Sequence, residues 1–268
     1  LVIQTIINED QVGYLKGRNI CSVLRTIDDV IDYCNQTGKG GYLLAQDTSK
    51  AFDSISKQFL LEAFNVFGFG AQFRKWVSVI TSGSMSCINH AGWLSEPFKV
   101  TCGIRQGCPF SPLAYVLAVE LMAIKIRHSS IKGITLPSPE TESAHLKIKQ
   151  LADDTTLFLQ DKQDMKIAKS ILDSFAGFSG LKLNVEKTKA MPLGRQVEEH
   201  DLPFKCTNKI KILGIVFQNN AMARNIEENW LGRLEKMSNL IKIWSVRDLS
   251  IHGKLVVIKT FLVSQFTF

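Results

Sequence analysis

Two adjacent carboxylates set inside an apolar run constrain this chain more than any other feature. Residues Leu146 to Leu159 read LKIKQLADDTTLFL, with apolar positions alternating or continuous on both sides of Asp153 and Asp154. That pattern predicts two short strands joined by a tight turn, with the acids at the tip. Like charges at a tip repel, and a bound cation or a proton relieves the repulsion. Hard carboxylate oxygens suit magnesium. An ordinary solvated turn also accounts for an Asp-Asp pair and, taken alone, is the commoner explanation. A second acid in a similar setting earlier in the chain shifts the balance.

That acid is Asp47. An apolar strand from Tyr42 to Ala45 delivers it at the strand's end, inside YLLAQDTSKAFDSI. A strand is rigid, and the residue at its end is aimed out of the core, which is why ligands and catalytic acids gather there. Phe52 and Asp53 follow in a turn or helix start, where the helix dipole alone would favour an acid such as Asp53.

The stretch Gly103 to Pro112 (GIRQGCPFSP) imposes a defined loop. Ser111 reads as the cap and Pro112 as the first residue of a helix running from Leu113 to Ile126. The helix is apolar on most of its surface, interrupted by Glu120 and Lys125. Arg105, Gln106 and Gly107 lie where it begins, a place that holds a phosphate or a base edge, or else merely caps a core helix. Near the N-terminus, Asn8 to Asn19 reads as a strand or loop. Its Lys16 and Arg18 suit either a phosphate or a solvated surface.

The remaining pattern is mixed α and β. Helices are expected over Ser22 to Tyr33, from Ser56 to Phe67, over Gln72 to Ile80, and through Met165 and Phe175 to Gly180. In the third of these, Phe73, Trp76, Val77 and Ile80 share one face and read as core. Met85 to Val100 predicts a hairpin around Asn89 to Gly92, with Pro97 at an edge. Pro137 to Ala144 reads as a polar loop. Leu181 to Pro192 is a basic strand-turn-strand holding Lys182, Lys187 and Lys189, and Ile210 to Phe217 a strand in which Gly214 suggests a bulge or a close backbone approach. Trp230, Leu234, Met237, Ile241 and Trp244 recur at helical spacing.

At 268 residues, 45% hydrophobic and 21% charged, the chain has enough apolar material for a sizeable core and is not a disordered sequence. Its net charge of +7 leans toward a polyanionic partner. The six cysteines are scattered without a Cys-x-x-Cys pair, which points to reduced thiols and an intracellular setting rather than zinc. No apolar run has the length of a membrane span, and no secretory pattern opens the chain. Ends lying inside apolar segments, at Leu1 and Phe268, suggest a piece of a longer polypeptide.

Taken in order, these stretches resemble the reverse transcriptase domain of non-LTR, LINE-type retrotransposons over nearly the whole chain. Gln11-Val12-Gly13-Tyr14 with Lys16-Gly17-Arg18 is similar to that family's fingers motif, and Asp47 to Asp53 (DTSKAFD) to its first palm motif. Arg105 to Pro112 (RQGCPFSP) is similar to its most recognisable loop. Leu151 to Asp154 (LADD) stands at its aromatic-Ala-Asp-Asp box, and Gly180 to Thr188 (GLKLNVEKT) and Leu213-Gly214-Ile215 at the two motifs that follow. Leu151 in place of the usual aromatic, and Phe110 where leucine is common, depart from the pattern without removing an acid.

The resemblance implies an α+β, right-hand polymerase fold. Residues 1–40 would belong to the fingers, 41–218 to a palm with fingers elements and 219–268 to the start of a helical thumb. It implies RNA-directed DNA synthesis from a DNA primer on an RNA template, with deoxynucleoside triphosphates and two Mg2+ ions, Mn2+ substituting. Asp47, Asp153 and Asp154 would be the catalytic metal ligands. Phe52 would exclude a ribose 2′-hydroxyl, Arg105, Gln106 and Gly107 would meet the nucleotide, and Lys16, Arg18 and Lys187 its phosphates. It further implies a retroelement polyprotein acting in cytoplasm and nucleus as a ribonucleoprotein, with no membrane partner. A catalytically silent relic or co-opted nucleic-acid-binding domain of the same fold is the alternative, and another two-metal phosphoryl-transfer enzyme a third.

Overall fold

The computed structural model describes residues 2–137, 144–194, 201–219 and 227–266. Helices α1 (Val2–Ile6) and α2 (Ile20–Thr37) precede strand β1 (Gly41–Gln46), and α3 (Ala51–Ser54), α4 (Lys57–Val66) and α5 (Ala71–Thr81) follow it. Four two-residue strands come next: β2 (Met85–Ser86), β3 (Asn89–His90), β4 (Trp93–Leu94) and β5 (Phe98–Lys99). Then come α6 (Ser111–Arg127), β6 (Ile134–Leu136), β7 (Ala144–Leu146), β8 (Ile148–Leu151), β9 (Asp154–Leu159) and α7 (Lys162–Ser179). Strands β10 (Lys189–Leu193), β11 (Lys205–Cys206), β12 (Lys209–Ile212) and β13 (Ile215–Gln218) lead to α8 (Gly232–Ser245) and α9 (Ile251–Val257).

The organising element is a five-stranded sheet in the order β11-β10-β1-β9-β8, with β1 at its centre and antiparallel to both neighbours. Side chains alternate across a strand, so Tyr42 and Leu44 face one way and Leu43 the other. The first face packs Leu44, Leu157 and Leu159 against Met122 and Ile126 of α6 and Met165 and Leu172 of α7. The second packs Leu43, Phe158 and Met191 against Val23, Ile27 and Val30 of α2. Because both faces are covered, β1 is apolar almost throughout, and its polar residues begin where it leaves the core.

Helix limits follow local chemistry. Asn19 caps α2 by accepting from the Cys21 N–H, and left-handed Gly38 ends it, so the helix is longer than the Ser22 to Tyr33 expected. The Asp161 side chain caps α7, and left-handed Gly180 closes it.

Three expectations are corrected. Phe73, Trp76 and Ile80 of α5 are exposed, and only Val77 and Thr81 are buried; helical periodicity marks an apolar face but not whether anything covers it. Ser111 is not a cap: it is the first helical residue and buried, and Phe110 holds the cap position without a side-chain bond. Ile210 to Phe217 is not one bulged strand. Leu213 and Gly214 both take positive φ, 49° and 84°, which folds β12 and β13 into a hairpin with paired positive-φ turn residues. The expected hairpin over Met85 to Val100 does form, β2 with β5 and β3 with β4. Most of the polar loop read over Pro137 to Ala144 lies outside the described residues.

Candidate active site at the strand ends

The last pair between β1 and β9 is Gln46 with Thr155, so continuing the register sets Asp47 opposite Asp154. Leu151 pairs with Asp154 across the β8–β9 hairpin, whose turn carries Ala152 in the left-handed region (φ 55°) and Asp153. All three acids therefore emerge at one end of neighbouring strands, as expected. The backbone of Asp47 is fixed from both sides. Its N–H donates to the Thr188 hydroxyl at 3.2 Å, and its carbonyl accepts from the Asn184 N–H at 2.9 Å.

The carboxylates feel one another. Partial burial first, then the charges of Asp153 and Asp47, push Asp154 up to about 6. Tyr115, buried on α6, is pushed above its ordinary value by desolvation, with Asp153 and Asp154 adding to the effect, so its hydroxyl stays protonated. Beneath the acids a narrow cleft is lined by Gln46, Thr48, Tyr115 and Asp153. There the Gln46 Oε1 is buried without a hydrogen-bond partner.

Among the described residues, no three His, Cys, Asp or Glu side chains are drawn together closely enough to hold a metal ion. The donor chemistry nevertheless fits a divalent cation. Three coupled carboxylates and an orphaned amide oxygen are hard ligands, and the repulsion expressed at Asp154 is the kind a cation removes.

Phe52, on α3, stacks on Tyr115 with ring centroids 4.7 Å apart. The loop leading into α6 is pinned to α3 and its end: Gly103 N–H donates to Ile55 O and Ile104 N–H to Phe52 O, both at 2.8 Å. Gly103 is obligatory there, since a Cβ would stand 2.7 Å from the Asp53 carbonyl oxygen and φ is 80°. Gln106 Nε2 donates to Asp53 Oδ1 at 3.1 Å. Asp53, Lys57, Arg105, Gln106, Cys108 and Ser111 line a cleft of about 630 Å3, within the range of small-molecule sites. Gly107 sits exposed at the loop's tip with φ 78°.

The expected phosphate contacts separate into two kinds. Lys16 and Lys187 are exposed, and Lys187 adjoins Thr188, which holds Asp47. Arg18 is instead turned onto the protein's own backbone. Its guanidinium bonds the carbonyls of Asn8, Gln11 at 2.6 Å, Ile7 at 2.7 Å and Gln4 at 3.4 Å. With its donors so engaged it serves here as a structural tie.

Sequence reasoning missed Tyr115, Thr188 and Gln11. Tyr115 hides in an apolar helix and Thr188 in a basic turn. Gln11 lies in a motif that was recognised, but its role depends on a contact far away in sequence.

The reverse transcriptase (RNA-dependent DNA polymerase) family pattern matches residues 1–217, and the chain belongs to that family. It is similar to the uncharacterised 149 kDa protein of transposon TX1 from Xenopus laevis, 28% identical over 276 residues, which covers 98% of this chain and 20% of that protein. It is also similar to the retrovirus-related Pol polyprotein of the type-2 retrotransposable element R2DM from Drosophila melanogaster, 26% identical over 197 residues, covering 74% of this chain and 18% of the relative. The chain spans about a fifth of the length of each of these relatives. Among solved structures, telomerase from Candida tropicalis in complex with a TWJ fragment of telomeric RNA superposes with a TM-score of 0.57 at 14% identity, over 99% of this chain and 44% of that one. The α+β architecture is thus the right-hand polymerase fold.

Proposed function

We propose that this chain is the polymerase core of a retrotransposon polyprotein and extends a DNA primer on an RNA template. The observation that carries this reading is the convergence of Asp47, Asp153 and Asp154 at one sheet end, beside Phe52 stacked on Tyr115. Two magnesium ions held by these acids would activate the primer hydroxyl and neutralise the triphosphate and its leaving pyrophosphate. Phe52 presents a rigid ring on which a deoxyribose rests and against which a 2′-hydroxyl collides. Arg105 and Gln106 orient the nucleotide from the cleft beside α3. Lys16 and Lys187 meet phosphates. The net charge of +7 suits a hybrid duplex bound mainly through its backbone, with marked salt dependence.

In this reading residues 1–40 are fingers, 41–218 palm with fingers elements, and 219–268 the start of a thumb. The protein acts within the cell, in cytoplasm and nucleus, as part of a longer polyprotein. Among the described residues, no helix is long and apolar enough to cross a membrane.

The test is primer extension on an RNA template with deoxynucleotides and Mg2+, comparing the wild type with an Asp153→Asn/Asp154→Asn variant. Template-dependent extension lost in the variant is the expected result. A folded wild type that binds the primer–template but never extends it sinks this reading in favour of a silent, nucleic-acid-binding relic.

A further inference from the structure

The turn that carries two of the acids is not held by its own hairpin alone. Ala152 is left-handed, a conformation costly for a residue with a Cβ, and persists only where the surroundings enforce it. The enforcing group is Gln11, whose side chain comes from the N-terminal loop and is 1% exposed. Its Oε1 accepts from the Ala152 N–H at 2.8 Å, and its Nε2 donates to the Ala152 carbonyl oxygen at 3.3 Å. One primary amide thus grips both polar groups of the strained residue.

The grip is itself held. Oε1 also accepts from the Gly13 N–H at 2.8 Å, and the Gln11 carbonyl accepts from Arg18. Val12 N–H donates to Gln150 O at 2.9 Å and Gln150 N–H to Asp10 O at 2.8 Å, so residues 10–12 run as an added edge beside β8. A Cβ at position 13 would stand 2.5 Å from the Ala152 nitrogen, which makes glycine a condition of this approach.

We infer that Gln11 is a positioning residue for the acidic turn: by clamping Ala152 it sets the direction in which Asp153 and Asp154 leave the hairpin. Arg18 supports it by fixing the Gln11 backbone. The inference rests on the polymerase reading for its consequence, since the acids act there as metal ligands. Partners that orient such ligands typically alter metal affinity or activity about 10–100-fold when removed.

The test uses the 268-residue chain with Gln11→Met, which keeps length and removes both hydrogen-bonding functions. The control is Asp164→Asn, which disturbs another buried backbone clamp: Asp164 accepts from the N–H groups of Lys132, Gly133 and Gln160 at 2.9–3.0 Å, beyond the other end of β9. Two readouts are taken on protein shown to be folded: Mn2+ binding without nucleic acid, and the kcat and KM of primer extension. Gln11→Met is expected to weaken Mn2+ binding about tenfold or more and to lower kcat with little change in nucleotide KM, while Asp164→Asn leaves both per folded molecule unchanged. A Gln11→Met protein matching Asp164→Asn in both readouts overturns the inference. If Gln11→Met does not fold, Gln11→Glu, which retains an acceptor for the two N–H groups but lacks the donor, is judged by the same criteria. If the wild type never extends a primer, the polymerase reading falls separately, and Mn2+ binding decides the clamp: a tenfold loss supports it, and an unchanged affinity overturns it.

Discussion

Phe52 and Tyr115 lie face to face, their ring centroids 4.7 Å apart and their planes 18° from parallel. The stack fixes the height of the Phe52 ring, because Tyr115 is 1% exposed and cannot yield. If that ring excludes a 2′-hydroxyl, Phe52→Val should raise ribonucleotide incorporation relative to deoxynucleotide by about 10–100-fold. Tyr115→Phe keeps the stack and should leave selectivity unchanged. Competition between the two nucleotide classes in primer extension measures both, and unaltered discrimination in Phe52→Val removes Phe52 from this role.

Gln106 is presented to the cleft through Asp53, whose carboxylate receives its amide at 3.1 Å. Asp53→Ala should free Gln106 and raise the nucleotide KM a few-fold, about the effect of one charge-assisted hydrogen bond in an exposed setting, with kcat nearly constant. A fall in kcat as large as that of Asp153→Asn would instead place Asp53 among the reacting groups.

Much of this arrangement was legible because it depends on local signals. The acids of the 153–154 turn were marked by flanking strand patterns, Asp47 by the apolar run before it, and the end of α7 by Gly180, which takes φ 78° there. What escaped depends on partners distant in sequence. Arg18 looks like a phosphate ligand until four backbone carbonyls fold around it. Trp76 carries the periodicity of a core residue yet is 60% exposed, since α5 rests on α4 with one edge only and its outer face is uncovered. Gly214 reads in the sequence as a bulge or close backbone approach within one strand, and only the pairing of β12 with β13 shows the turn.

An ionic chain with one buried member ties the N-terminal loop to the sheet. Glu120 on α6 is 1% exposed; burial raises its carboxyl, and Arg127 opposes that by charge and hydrogen bond. Arg127 also meets Asp10 at 3.6 Å, and Asp10 meets Lys149 on β8 at 3.0 Å. Arg127→Met should leave the Glu120 charge stranded and cost about 3 kcal/mol. Pairing it with Glu120→Leu should restore most of that loss. Denaturant melts of the two variants check this, and a double variant no more stable than Arg127→Met would show that packing rather than charge sets the cost.

Asp154 offers a test of the acids that needs no substrate. Its carboxyl titrates near 6 in the folded protein against an ordinary 3.8, through partial burial and then the charges of Asp153 and Asp47. Between those values the folded chain binds more protons than the unfolded one, so its contribution to stability is fully present below 3.8 and is lost as pH rises through about 6. Because the side chain is still open to solvent, the effect is small. In EDTA, Asp154→Asn should therefore unfold about 1–2 °C above wild type at pH 7 and together with it near pH 4. Mg2+ should close the gap at pH 7 by stabilising the wild type, since a cation replaces the missing proton, and should do less for the variant. Thermal melts at both pH values, with and without Mg2+, measure all four quantities. A wild type that gains nothing from Mg2+ at pH 7 while the variant still melts higher would mean that the carboxylates repel without forming a metal site.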